Sequence, residues 1–108
     1  MKNGLYKVTF QSSLGAGTGV VVLNDGRLLG GNSAISYVGT YRVVDNAIVA
    51  SIETKTHTPV PGMENVLGVP DIVISLSGAL TPTGARVSGS SPVAAGVKLQ
   101  VTLEFLAA

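Results

Sequence analysis

Apolar and polar residues alternate with a period of two along most of this chain. In 5–11, Tyr6, Val8 and Phe10 fall on one side and Lys7, Thr9 and Gln11 on the other. In 47–56, Ile48, Ala50 and Ile52 oppose Ser51, Glu53 and Lys55, and in 71–80 Ile72, Ile74 and Leu76 share a side. The cleanest alternation is 97–106, where Val97, Leu99, Val101, Leu103 and Phe105 are separated by Lys98, Gln100, Thr102 and Glu104. Successive side chains of a strand point to opposite faces, so this pattern predicts strands with one buried face. Shorter runs at 19–23, 27–30, 37–44 and 85–89 read as the remaining strands.

The connections agree with that reading. Asn24-Asp25-Gly26 lies between two apolar runs, and Asp-Gly in that setting is a strong hairpin signal. Asp45-Asn46 and Pro82-Thr83-Gly84 supply further turns. Residues 12–17 read as a loop of small residues, and 31–35 either as one helical turn capped by Asn32 or Ser33 or as a plain corner. The stretch 57–70 carries Pro59, Pro61 and Pro70, which lack the N–H a sheet interior needs, so it is a long loop. Its Val60, Met63, Val66 and Leu67 imply packing onto the domain. Long ordered loops are often functional, so Val60, Met63 and Leu67 are candidates for a lid or an interface. About eight short strands without a linker predict one all-β domain over 1–108, either an antiparallel sandwich or an up-and-down barrel. A barrel of that strand number is filled by side chains or holds one small ligand.

Composition narrows the picture. The 108 residues leave no room for a second domain. Cysteine is absent, which removes disulfides and thiolate metal sites. Apolar residues reach 45% and charged ones only 12%, with a mean hydropathy of +0.46. Yet no apolar run approaches the roughly 20 residues of a membrane-spanning helix. The start, Met1-Lys2-Asn3-Gly4, runs straight into an alternating strand instead of an apolar leader, which gives an expectation of a cytoplasmic protein without a membrane span. So much apolar content means a well-supplied core, or apolar surface that meets a partner or a ligand. Lys2, Lys7, Arg27, Arg42, Lys55, Arg86 and Lys98 are scattered, and net charge is +1. Binding nucleic acid takes a basic stripe to displace counterions, so direct nucleic-acid binding is not expected.

The residues that carry chemistry are few. His57 is the only histidine, flanked by Thr56 and Thr58, and no serine sits in a Gly-x-Ser-x-Gly elbow. One histidine and no cysteine nearly exclude zinc. Asp25, Asp45, Glu53, Glu64, Asp71 and Glu104 are spread out, with no calcium loop. Gly15-Ala16-Gly17-Thr18-Gly19 looks like a phosphate-cradling loop, but Val20-Val21-Val22-Leu23 follows it as a strand, so turn glycines explain it. Gly30-Gly31 reads as a backbone corner needing positive φ. Tyr6, Tyr37 and Tyr41 read as core or barrel lining. The expectation is a non-enzyme with no cofactor and no metal.

One longer pattern goes beyond composition. Met1-Lys2-Asn3-Gly4-Leu5-Tyr6 is followed by Gly19-Val20-Val21-Val22-Leu23-Asn24-Asp25-Gly26-Arg27-Leu28-Leu29-Gly30-Gly31 and then by Tyr37-Val38-Gly39-Thr40-Tyr41. This resembles the GrlR family of negative regulators of type III secretion and its uncharacterised relatives, across nearly the whole chain and most densely over 1–45. The resemblance implies a small lipocalin-like β-barrel, dimeric and cytoplasmic, that sequesters a transcriptional activator. Members carry an acidic run after the strand that matches 37–44. Here that stretch reads Arg42-Val43-Val44-Asp45-Asn46, which makes Arg42, Asp45 and Asn46 the candidate partner contacts. Two functions are therefore expected: a homodimeric regulator that binds a protein, or a binder of a small apolar, lipid-like ligand with Gly39 and Ala50 leaving space in the barrel.

Overall fold

Each alternating segment forms a strand in the computed structural model, which describes residues 1–61, 71–91 and 96–108. The strands are β1 (Gly4–Ser12), β2 (Gly15–Asn24), β3 (Arg27–Gly31), β4 (Ile35–Val44), β5 (Ala47–Thr56), β6 (Ile72–Thr81), β7 (Gly84–Ser90) and β8 (Leu99–Ala107). Each pairs antiparallel with the next, and β8 returns to β1, so the sheet closes into an up-and-down barrel. Closure removes the two free edges of an open sheet, although β3 is too short to pair with Gly15–Gly19 of β2. Of the two architectures the strand pattern allowed, the sandwich is excluded.

The period of two decides what is inside. Tyr6, Val8, Val21, Leu23, Leu28, Tyr37, Ile48, Ile74, Leu76, Val87, Val101 and Leu103 are buried, while Lys7, Glu53, Lys55 and Glu104 face out. Burying one such Val, Leu or Ile side chain is worth about 1.5–3 kcal/mol, so one continuous apolar interior holds the barrel together.

The barrel has two unlike ends. One carries the hairpin turns at Asp25-Gly26, Asp45-Asn46 and Pro82-Thr83, together with both chain termini. There Asp25 and Gly26 take φ of 49° and 87°, both positive as a type I′ hairpin turn requires. Each turn also leans on the barrel. The carbonyls of Gly26, Asn46 and Thr83 accept from the backbone N–H of Tyr41, Leu80 and Phe105 at 2.8, 2.9 and 2.8 Å. Asn3 closes the same end, exchanging two 3.0 Å hydrogen bonds with the side chain and backbone of Asp25. Lys2 lies 4.1 Å from the centre of the Phe105 ring, and Phe105 packs edge-on against Tyr6. The opposite end carries the Ser13-Leu14 turn, the 32–34 corner and the C-terminal ends of β5 and β7.

Three local expectations need correction, and the choice left open at 31–35 is resolved. The loop expected over 12–17 shrinks to a two-residue turn, because Gly15, Gly17 and Gly19 belong to β2 and pair with β1. Gly30-Gly31 is no corner: neither residue has positive φ, and both lie in β3. Gly30 is needed for a different reason, since a Cβ there would run into the Val20 carbonyl of the neighbouring strand. The 31–35 segment is a corner without a helical turn. In it the Asn32 side-chain oxygen accepts from the N–H groups of Ala34 and Ile35, both at 2.9 Å. The last strand starts at Leu99, so Val97 packs at the core's edge outside it.

Candidate binding sites inside and outside the barrel

The interior site follows from two short side chains. Gly17 pairs with Phe10 in the β1–β2 ladder, and a Cβ on Gly17 would stand 2.7 Å from the Phe10 ring. A Cβ on Gly19 would stand 3.0 Å from the Tyr37 ring and 3.1 Å from its hydroxyl. The glycines of β2 thus clear space in which Phe10 and Tyr37 meet edge-on, 5.8 Å apart. Beside these rings lies an apolar cavity of about 70 Å³ walled by residues such as Leu23, Ile48, Ile74, Leu76, Val87 and Val101. Among the described residues Tyr37, Tyr41 and Thr54 are the only polar ones in its wall, and they present almost no polar surface to it. Ala50 lines it as expected. Gly39 leaves no room, because a Cβ there would collide with the Ser51 carbonyl. Ligand pockets for drug-sized molecules run to about 300–1,000 Å³, so this interior is mostly filled by side chains.

A polar network covers the rim at the corner end. Asn32 Nδ2 donates to the Tyr37 hydroxyl at 2.9 Å and to the Thr18 carbonyl at 3.3 Å. Burial pushes the Tyr37 pKa well above the usual tyrosine value. His57 Nε2 lies 3.0 Å from the Asn32 carbonyl, which only accepts, so Nε2 carries the proton and donates. Its Nδ1 is 2.7 Å from Thr58 Oγ1, and the backbone N–H groups of His57 and Thr58 donate to the Ala34 carbonyl. The histidine therefore clamps the start of the long segment onto the corner. Among the described residues no group of three His, Cys, Asp or Glu is placed to hold a metal ion.

The outer surface holds a feature the alternation did not single out. Leu5, Val22, Leu29 and Val38 are direct cross-strand partners on β1 to β4. Val22, Leu29 and Val38 are 44%, 42% and 48% exposed, and Val20, one outward position along β2, is 45% exposed. They form an unbroken apolar row that ends on β5 at Glu53, which pairs with Lys55 at 3.0 Å. The signal in the sequence was Val20-Val21-Val22-Leu23 followed by Leu28-Leu29. Where outward as well as inward positions are apolar, the alternation breaks.

The candidate partner contacts share one tip. Arg42 points outward from β4, and Asp45 and Asn46 form the β4–β5 turn, with Asp45 at φ 55°; all three are exposed. Val60 packs against the core, whereas Met63 and Leu67 lie outside the described residues. Among the described residues no helix is long and apolar enough to cross a membrane.

Fold and sites together define an eight-stranded antiparallel β-barrel with a nearly filled apolar interior. Compared with known proteins, the chain matches no family model and no curated protein sequence.

Proposed function

We propose that this chain is a non-enzymatic regulatory protein of the cytoplasm that acts as a homodimer and restrains a protein partner by binding it. The observation that carries this reading is the apolar row Leu5–Val22–Leu29–Val38 with Val20 beside it. Exposed apolar patches rimmed by polar residues mark interaction sites. The occupant is a second copy of the same face. At a strand spacing of about 4.8 Å, and with nine or ten residues in β1, β2 and β4, the face spans roughly 19 by 30 Å. The product, at most roughly 570 Å² because β3 is short, falls at the small end of specific interfaces, below the standard of about 800 Å² per partner. The resemblance to GrlR points to a transcriptional activator as the restrained partner, with the Arg42–Asn46 tip as its contact.

The partner reading is tested by purifying the tagged chain gently from its source cells. The expected result is a DNA-binding protein retained at a fixed ratio and lost from a variant carrying Arg42→Glu and Asp45→Lys. Retention by that variant removes the tip from the reading. An eluate with no such protein contradicts the regulatory role.

A further inference from the structure

β2 has ten residues and its neighbour β3 only five. β3 pairs with Val20–Asn24 alone, so Gly15–Gly19 has β1 on one side and no strand on the other. The register shows which backbone groups this exposes. Asn24 and Arg27 flank a two-residue turn as a hydrogen-bonded pair, and antiparallel pairs alternate, so Asn24, Val22 and Val20 turn their N–H and C=O groups to β3. Ala16 and Thr18 continue that series and turn theirs to the open edge. There Asn32 Nδ2 donates to the Thr18 carbonyl at 3.3 Å. Among the described residues the Ala16 N–H and C=O and the Thr18 N–H have no partner, and both residues are exposed.

Native sheets commonly guard such edges with lysine or proline. This edge carries neither: its residues are Gly15-Ala16-Gly17-Thr18-Gly19, and their β1 partners are Ser12, Gln11, Phe10, Thr9 and Val8. None of these residues is charged, so the edge suits an uncharged occupant. Between the two free positions Gly17 points inward without a side chain, and the Phe10 ring lies 2.7 Å from where its Cβ would stand. A residue set opposite Gly17 on an added strand therefore meets the Phe10 ring.

We propose that the Gly15–Gly19 edge is a docking site for an extended, uncharged peptide segment of another protein, which adds a strand to the barrel and sets an apolar side chain beside Phe10. Only another backbone repeats donors and acceptors at this spacing. The peptide residue opposite Ala16 exchanges two hydrogen bonds, and the one opposite Thr18 accepts a third. A second copy of this edge fits less well. With Ala16 on the twofold axis, Thr18 meets the partner's turn instead of a strand. With Gly17 on it, both Thr18 carbonyls, already held by Asn32, have to accept again. The edge lies at the barrel end opposite the Arg42–Asn46 tip and off the Leu5–Val38 row, so it is a contact separate from both.

The probe is the blocked pentapeptide acetyl-Ser-Thr-Val-Thr-Ser-amide, titrated into the intact protein and followed by the backbone amide proton–nitrogen NMR signals of Ala16 and Thr18. Both amide protons are expected to move downfield and saturate at millimolar peptide. Two N-methylated peptides separate a strand ladder from loose contact. Methylating the fourth residue, whose N–H faces Ala16, is expected to weaken binding at least about tenfold. Methylating the central valine, whose N–H faces away from β2, is expected to change it less than about threefold. Ala16→Pro removes the edge donor without touching a β1 bond and is expected to weaken the parent peptide as the first methylation does, while Leu29→Asp leaves its affinity unchanged. No saturable shift with the parent peptide, equal losses for the two methylated peptides, or undiminished binding to Ala16→Pro each overturn the proposal. If Ala16→Pro does not fold, the two methylated peptides on the wild type decide it. A wild-type oligomer that Ala16→Pro breaks up assigns the edge to a second copy and likewise overturns it.

Discussion

Ile48 and Val49 are neighbours in β5 that the barrel treats in opposite ways, 2% against 43% exposed. Truncating Ile48 to Ala removes three carbons from the cavity wall, a transfer loss of about 2.4 kcal/mol at about 0.8 kcal/mol per buried methylene. The space left adds about 24 cal/mol per Å³, and three such groups leave roughly 80 Å³ before relaxation, hence about 1–2 kcal/mol more. The sum is about 3–4 kcal/mol, a large share of the roughly 5–15 kcal/mol that holds a small domain folded. Val49→Ala removes exposed atoms and should cost no more than about 0.5 kcal/mol. The assay is urea unfolding followed by far-ultraviolet circular dichroism, at one protein concentration because self-association would shift midpoints. Taking a slope of about 1.5 kcal/mol per M, the Ile48→Ala midpoint falls by about 2 M while Val49→Ala scarcely moves. A loss below about 1 kcal/mol for Ile48→Ala, or equal losses at the two sites, refutes the assignment of β5 faces and the packed interior.

Two further outcomes follow from the rim. The Tyr37 pKa is raised by burial from the usual 10.0, so its neutral form stabilises the fold; that contribution is complete below about pH 10 and is lost as pH rises toward the folded-state value. The unfolding midpoint of the wild type should therefore drop between about pH 8 and about pH 11 by more than that of Tyr37→Phe, and equal drops contradict the buried phenol. Gly19→Ala places a Cβ 2.8 Å from the Gly31 carbonyl and against the Tyr37 ring, so it should cost about 1–3 kcal/mol in the same unfolding assay, whereas a neutral or stabilising effect contradicts the close approach of β2 and Tyr37.

The eight strands were legible because their inward positions are nearly all apolar and their outward ones mostly polar. Tyr6–Val8–Phe10 and Leu99–Val101–Leu103 needed nothing beyond the period of two. The Asp25-Gly26 hairpin was equally legible, since few residues accept two successive positive φ values. The glycines of β2 misled because loops and strands both use glycine. At Gly17 and Gly19 the requirement comes from rings on β1 and β4, and no local pattern reveals a neighbour distant in sequence. Closure into a barrel depends on β8 finding β1, a pairing between the two ends of the chain that periodicity does not encode. The outer apolar row was not legible: Val20, Val22 and Leu29 read only as members of short apolar strand runs, and their alignment with Leu5 and Val38 exists only through register. The same holds for Tyr37 and Asn32, five residues apart yet joined around the corner that Asn32 itself caps.

The central claim is that this barrel works through its outer β1–β4 face. Sedimentation velocity over a range of concentrations, on the wild type and on Leu29→Asp, tests it most directly. Leu29 is 42% exposed and points away from the core, so the substitution should leave the circular dichroism spectrum unchanged. The account predicts a wild-type dimer and a folded monomeric Leu29→Asp variant. A wild type that stays monomeric throughout, or a variant that dimerises as well as the wild type, contradicts it.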